Sequence, residues 1–282
     1  MKKLLVTGAG GFLGAAVCQA AIRRWQVFGV IRTHAPGARL QAVYRADITR
    51  RQDIFRVLNE VSPQAVIHTA ALADPNACQT DPDASWHINI EGAVFLAEWC
   101  AEHTVPLAFT SSDLVFDGLH APYRESDAVN PVNRYGEHKV IAEEQIRRIH
   151  PQAAIRRMSL MFGNAPSPRS QPLSRILKQG RSVRLFVDEF RTPLFVEAAA
   201  EGILSTLNYP GVLHLGGAER VSRYQFGMTV AAAVGASPQL IVPCFQKDVP
   251  MPAPRPSDVS FDIGLARSLG FHPPILADCF SP

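Results

Sequence analysis

Leu4-Leu5-Val6-Thr7-Gly8-Ala9-Gly10-Gly11-Phe12-Leu13-Gly14 stands at the head of the chain and runs into the apolar-periodic stretch Ala15 to Ile22. A buried strand, a turn built from glycines and a helix starting at the last glycine make the phosphate-binding corner of a dinucleotide fold. Gly8 permits the tight turn, Gly11 lets the backbone approach a pyrophosphate, and Gly14, without a Cβ, lets helix and strand pack closely. Phe12 and Leu13 count with the cofactor-binding residues of this corner, and the helix N-terminus points unpaired N–H groups and a partial positive charge at the phosphates. Glycine triplets also occur in ordinary βα turns, so the rest of the chain has to support the reading.

With 282 residues, the chain can bury about three-quarters of its unfolded surface, in one large core or two modest lobes. Its net charge of +3 comes from 28 basic and 25 acidic residues without like-charge runs beyond pairs such as Arg23-Arg24 and Arg50-Arg51. That scatter argues against a nucleic-acid partner. Cys18, Cys78, Cys100, Cys244 and Cys279 lie far apart with no C-x-x-C spacing. No metal site is expected from them, and a reduced, cytoplasmic compartment is the simplest reading. Met1-Lys2-Lys3-Leu4-Leu5-Val6 starts like a signal peptide, but glycines break it at once, and no apolar run reaches membrane-spanning length. The expectation is a protein without a membrane partner.

Val27 to Ile31 reads as a second buried strand ending at Arg32-Thr33-His34. NAD-preferring sites place an acid here for the ribose 2′-hydroxyl, whereas NADP sites place a basic residue. No acid lies between Gly29 and Tyr44, so Arg32 points to NADP(H), with NAD(H) as the alternative and a merely solvated strand-end charge still open. Val43 to Ile48 is a short third strand, and Asp47 reads equally as the N-cap of the next helix. Ala65 to His68 makes a fourth strand, followed by Thr69-Ala70-Ala71, small enough for close approach of a cofactor ribose. His68 by itself reads as a packed core histidine. A helix is expected over Ala84 to Ala97, where Asn89 alone would be structural.

Leu107 to Gly118 is a fifth strand running into an exposed loop, with Ser111 and Ser112 at the carboxyl end, where open parallel sheets bind ligands. Asn130-Pro131 then leads to a helix carrying Tyr135 and Lys139, four residues apart on one face. A tyrosine working near pH 7 needs its pKa moved by about 3 units, roughly 4 kcal/mol. An ammonium about 4 Å away at an effective dielectric of about 20 supplies an interaction of that order. A seryl hydroxyl could then hold a substrate oxygen while Tyr135 moves the proton and a nicotinamide moves hydride.

The fold class expected is α/β, a Rossmann-type doubly wound parallel sheet with a smaller C-terminal substrate-binding lobe. Residues 1–157 and 191–217 would form the dinucleotide-binding domain, and 158–190 with 218–282 the lobe, with a loop marked by Pro166, Pro168 and Pro172.

The glycine loop, Ser111-Ser112-Asp113-Leu114-Val115-Phe116-Asp117-Gly118, Tyr135-x-x-x-Lys139, Arg191-Thr192-Pro193 and Arg255-Pro256-Ser257-Asp258 together resemble extended short-chain dehydrogenase/reductases. Within them the dTDP-4-dehydrorhamnose reductase subgroup is the most similar. The resemblance implies NADPH-dependent reduction of a 4-keto nucleotide sugar. Ser112 takes the hydroxyl role, Tyr135 is the proton donor, and Lys139 holds the nicotinamide ribose and lowers the pKa of Tyr135. Asp47 and Ile48 lie beside the adenine, Ala70 and Ala71 beside the cofactor, and Asn89 supports the site through its amide. Ser111, Asp113, Val115, Arg191 and Arg255 face the substrate. Leu114 departs from the subgroup's aromatic residue, and Ser112 from its threonine.

Three other activities compete. A dehydratase would want an acid where Leu114 stands, and a 4-epimerase would keep NAD bound rather than exchange the NADPH that Arg32 suggests. A non-catalytic NADP-binding regulatory subunit would tolerate loss of the hydroxyl, tyrosine or lysine, all of which are present. Helices around Trp86 to Trp99 and Tyr135 to Ile149 offer faces for a homodimer, faces that would look alike if they only covered the sheet.

Overall fold

Lys3–Thr7 forms strand β1 and Phe12–Ala21 forms helix α1, with Gly8 to Gly11 turning between them. These features come from a computed structural model whose described residues are 1–163 and 173–280. The loop expected around Pro166, Pro168 and Pro172 lies outside them. The chain continues through β2 (Gln26–Ile31), β3 (Ala42–Arg45), α2 (Arg51–Val61), β4 (Ala65–His68), α3 (Pro75–Thr80) and α4 (Pro82–Trp86). Then come α5 (Gly92–Glu102), β5 (Leu107–Ser112), α6 (Arg134–Ile149) and β6 (Ala154–Met158). The remainder holds β7 (Met161–Phe162), α7 (Leu173–Lys178), β8 (Val183–Phe186), β9 (Phe190–Arg191), β10 (Leu194–Phe195), α8 (Val196–Ser205), β11 (Gly211–Leu215), β12 (Val221–Ser222), α9 (Arg223–Ala233), β13 (Ile241–Cys244) and α10 (Gly264–Ser268).

Seven strands make one sheet in the order β11-β6-β5-β4-β1-β2-β3, all neighbours parallel. The order reverses direction between β1 and β4, and a crevice opens beyond the carboxyl ends at such a switch point. Alternation along β1 feeds both faces, as the period of a strand requires. Leu4 and Val6 pack with Val17, Ala21 and Ile203 under α1 and α8, while Leu5 packs with Leu58, Leu96 and Ile146 under α2, α5 and α6. Beyond the sheet a separate apolar cluster of Leu185, Phe226, Val230, Ile241 and Leu276 sits between α9 and the parallel pair β8–β13.

The helix expected over Ala84 to Ala97 is interrupted. Between α4 and α5 lies one π-helical turn, His87–Glu91. Such wide turns insert a residue and re-aim side chains. Here Asn89 is turned inward, where its amide accepts from Leu72 N at 2.9 Å and donates to Leu72 O at 3.1 Å. Both polar backbone groups of Leu72, in the loop after β4, are thereby satisfied by one side chain.

Candidate active site

The glycine corner is shaped by what a side chain would hit. Gly8 has φ +69°, a conformation that favours glycine, and a Cβ there would come within 2.7 Å of Ala70 N. A Cβ on Gly14 would run into the carbonyl of Gly8, and one on Gly10 into the carbonyl of His34. Gly11 N donates to Gly8 O at 2.8 Å and closes the turn. Gly11 is also the N-cap of α1, and no side chain caps the helix, so its first amides face outward as a phosphate would need.

A cavity of about 200 Å³ opens over this corner, and the expected cofactor residues Gly8, Gly11, Arg32, Asp47, Ile48, Ala70 and Ala71 line it. Phe12, Leu13, Gly14, Tyr135 and Lys139 are outside its lining. Thr69, expected beside the ribose, lines it as well, and Gly10, His34, Leu72 and Ile88 line it without having been expected there. The fourth glycine was in plain view, but its partner His34 belongs to the loop after β2 and leaves no local signal. Arg32 is exposed at the rim, with a guanidinium free to meet a phosphate.

Asp47 does not cap α2. That helix has Arg50 as its N-cap without a side-chain bond. Asp47 accepts from Thr49 N at 3.0 Å and Thr49 Oγ1 at 2.8 Å, because Ile48 and Thr49 intervene before the helix and the short carboxylate reaches only the turn. Burial pushes its pKa up, but the Thr49 hydrogen bonds and the Arg32 and Arg50 charges outweigh this and leave it below the ordinary value.

The reactive side chains come from α6 and the end of β5. Asn133 caps α6, accepting from Gly136 N at 3.0 Å, and its amide donates to Pro254 O at 3.0 Å. Gly136 lets the helix sit against the short 3-10 turn Asp113–Val115, since a Cβ would run into Leu114 O. Tyr135 and Lys139 are buried on that face. Lys139 Nζ donates to Thr110 O at 2.9 Å and sits 5.8 Å from the centre of the Tyr135 ring. Ser112 Oγ accepts from Leu114 N at 3.2 Å, donates to Asp113 Oδ1 at 3.3 Å and lies near enough to Tyr135 to lower its pKa. Hydroxyl, phenol and ammonium therefore converge.

Their titration differs from the expectation. Burial raises the Tyr135 phenol above its ordinary value, Cys78 and Asp113 add to this, and Ser112 and Arg191 oppose it. Lys139 is buried on the same face. Its own pKa is brought down to about 8 by burial, with Glu143 opposing. His68 is held neutral, its pKa lowered to about 3 by burial and then by Lys139, with Thr7 Oγ1 2.6 Å from Nδ1. It is a core histidine, as its lone occurrence suggested.

Two residues expected at the substrate point elsewhere. Adjacent residues of a strand face opposite sides. With Ser112 toward Tyr135, the Ser111 hydroxyl turns back and donates to Glu143, which also takes Arg157 Nη2 at 2.7 Å in a buried pair. Val115 is fully buried in the apolar cluster under α1 and α8. Asp113 is buried, held by Arg191 Nη1 at 2.7 Å and Ser159 Oγ at 3.1 Å. Arg191 also meets Glu189 at 3.3 Å, and Arg255 is half-buried nearby, donating to Asn76 Oδ1 at 3.1 Å. Arg223, at the start of α9, joins this group and had no sequence signal at all.

All five cysteines are free. Among the described residues no group of His, Cys, Asp or Glu is arranged to hold a metal ion, and no helix is long and apolar enough to cross a membrane.

A family model described as the RmlD substrate binding domain matches residues 1–275. A dTDP-4-dehydrorhamnose reductase of Aggregatibacter actinomycetemcomitans is 24% identical over 97% of this chain and 95% of its own length. A methionine adenosyltransferase 2 subunit beta of Danio rerio is 25% identical over 95% of this chain and 85% of its own. The crystal structure of a Bacillus anthracis dTDP-4-dehydrorhamnose reductase in complex with NADP has a TM-score of 0.87 at 21% identity, covering 99% of this chain and 97% of that one. At that identity the likeness speaks for the fold.

Proposed function

The chain belongs to the RmlD substrate binding domain family, and from that premise we propose that it is an NADP(H)-dependent reductase of a 4-keto nucleotide sugar, with dTDP-4-dehydrorhamnose as the substrate. The convergence of Ser112, Tyr135 and Lys139 at the carboxyl end of β5, with β4 between it and β1, carries the proposal. Bound NADPH supplies a hydride for the carbonyl carbon. The chain's own groups handle the oxygen. Ser112 holds it by a hydrogen bond, Tyr135 gives it a proton, and Lys139 stands ready to offset the phenolate that remains. A phenol whose pKa is raised by burial is fully protonated at neutral pH, which suits a donor in the direction of reduction.

Gly8, Gly10, Gly11 and the uncapped start of α1 would hold the pyrophosphate, Asp47 and Ile48 the adenosine end, and Arg32 the 2′-phosphate. We assign residues 1–157 and 191–217 to the dinucleotide and 158–190 with 218–282 to the sugar nucleotide, a division that the separate apolar cluster around Phe226 supports. The free thiols fit a reducing cytoplasm, and a homodimer through α5 and α6 is part of the same proposal.

The test is NADPH oxidation with a panel of 4-keto nucleotide sugars, native against Tyr135→Phe. The variant is expected to lose about 10²- to 10⁴-fold in rate, the usual weight of general acid catalysis. Equal rates would remove Tyr135 from the mechanism. No turnover of any keto sugar by the native chain would favour the second reading, a non-catalytic NADP-binding subunit, which the similarity to a methionine adenosyltransferase subunit supports.

A further inference from the structure

Met251-Pro252-Ala253-Pro254-Arg255-Pro256 places a proline at every second position of the segment between β13 and α10. Each proline fixes its own φ and pushes the residue before it toward extended backbone. The segment is therefore a stiff strut. Prolines also lack an N–H, so between Pro252 and Pro256 only Ala253 and Arg255 carry one. Ala253 is fully buried, and a buried amide needs an acceptor. Asn76 Oδ1, on α3, provides it at 3.3 Å and also takes Arg255 Nη2 at 3.1 Å. Just beyond the strut, Ser257 Oγ donates to Gly118 O at 2.9 Å and Ser257 O accepts from Phe190 N at 2.7 Å.

A second clip is Asn133. As N-cap of α6 it needs only an acceptor for Gly136 N, a task that Ser or Asp performs as well. Asparagine adds a donor, and here Nδ2 donates to Pro254 O at 3.0 Å. The side chain is buried, with one end of its amide on the helix and the other on the strut. The two clips flank one reactive group. Tyr135 follows Asn133 by two residues in the first turn of α6, and Cys78 of α3 packs against it together with Leu114. On its other side that turn is pressed against Leu114 O, where Gly136 leaves no room for a Cβ. Both α3 and the start of α6 are thus tied to one stiff piece of chain.

We propose that this strut sets the Tyr135 phenol at the substrate, with Asn133 and Asn76 as positioning residues. The proposal rests on the reductase reading, in which Tyr135 gives the proton, and adds that the lobe assigned to the sugar nucleotide fixes the donor's place. Asn133→Ser tests it, because it keeps the cap and removes the donor to Pro254 O. Its unfolding midpoint and NADPH affinity are expected to match those of the native chain, while kcat for the keto sugar falls roughly 10- to 100-fold and KM changes little, the mark of a displaced reacting group. Asn133→Asp, which caps but sets a carboxylate against that carbonyl, should lose more. Asn76→Asp, which keeps both acceptor bonds, should lose less than Asn76→Ala. A native-like kcat in Asn133→Ser overturns the proposal, and so does a loss that only tracks a lowered unfolding midpoint. Hydrogen exchange needs no turnover. The Ala253 amide and the Glu137 amide, which donates to Asn133 O at 3.0 Å, are expected to exchange faster in Asn133→Ser at equal global stability. Exchange as slow as in the native chain would overturn the clip, whereas a native chain that reduces no keto sugar sinks the reductase reading separately.

Discussion

The two walls of the crevice are built by opposite means. On the glycine side the chain removes side chains, so that backbone amides and a helix start are left bare for a ligand. On the side of β5, α6 and α9 it concentrates side chains instead, burying Glu143 with Arg157 and Asp113 with Arg191 behind the reactive hydroxyls. A wall of backbone tolerates almost no added atom, because a Cβ has nowhere to go. A wall of paired charges tolerates no lost partner, because the survivor is left in low dielectric. Each wall is therefore broken by a different kind of substitution.

On the charged side, Glu143→Gln is expected to cost about 3–5 kcal/mol of stability by stranding Arg157, read by denaturant unfolding. It also sharpens the pH comparison. Lys139 titrates at about 8 and Glu143 holds it up, so kcat/KM of the native chain should fall above about pH 8 and that limb should move to lower pH in the variant. A limb that stays put would separate Lys139 from the profile. The sign for stability is opposite to that of a paired lysine. Because the folded-state pKa is below the ordinary 10.5, burial of the charged form costs stability in full below about pH 8, and the cost fades as pH rises from about 8 toward 10.5.

On the backbone side, Gly10→Ala forces a methyl against the carbonyl of His34 and displaces the loop that carries Arg32. Overpacking of this kind costs about 1–3 kcal/mol, so NADPH affinity should drop by roughly tenfold or more. Unchanged affinity would mean that the loop yields freely and the backbone wall is less rigid than its contacts suggest. The smallest effect belongs to the exposed rim. Arg32→Ala should weaken NADPH by roughly tenfold and leave NADH nearly unchanged, the loss of one charge-assisted contact. An equal loss for both would dismiss the 2′-phosphate role.

Much of the fold was readable because its signals are short-ranged. The buried β1, the turn at Gly8 and the helix after Gly11 follow from consecutive residues, and the strands at Ala65 and Leu107 from unbroken apolar runs. Misreadings occurred where a residue's partner lies far along the chain. Asp47 is the local exception, since Thr49, two residues on, takes its carboxylate and the helix starts later. The π-helical turn at Asn89 answers to Leu72, which no helical periodicity contains. Ser111, expected at the substrate, is claimed instead by Glu143 from 32 residues further on.

By itself the sequence determined the glycine corner and the shared face of Tyr135 and Lys139, since both depend on backbone geometry within one or two turns. Only the tertiary structure decided that Glu143 claims Ser111, that Arg191 pairs with Asp113 and that Arg157 pairs with Glu143. Those outcomes turn on desolvation and on the charges that long-range packing brings together, and neither is written in the order of neighbouring residues.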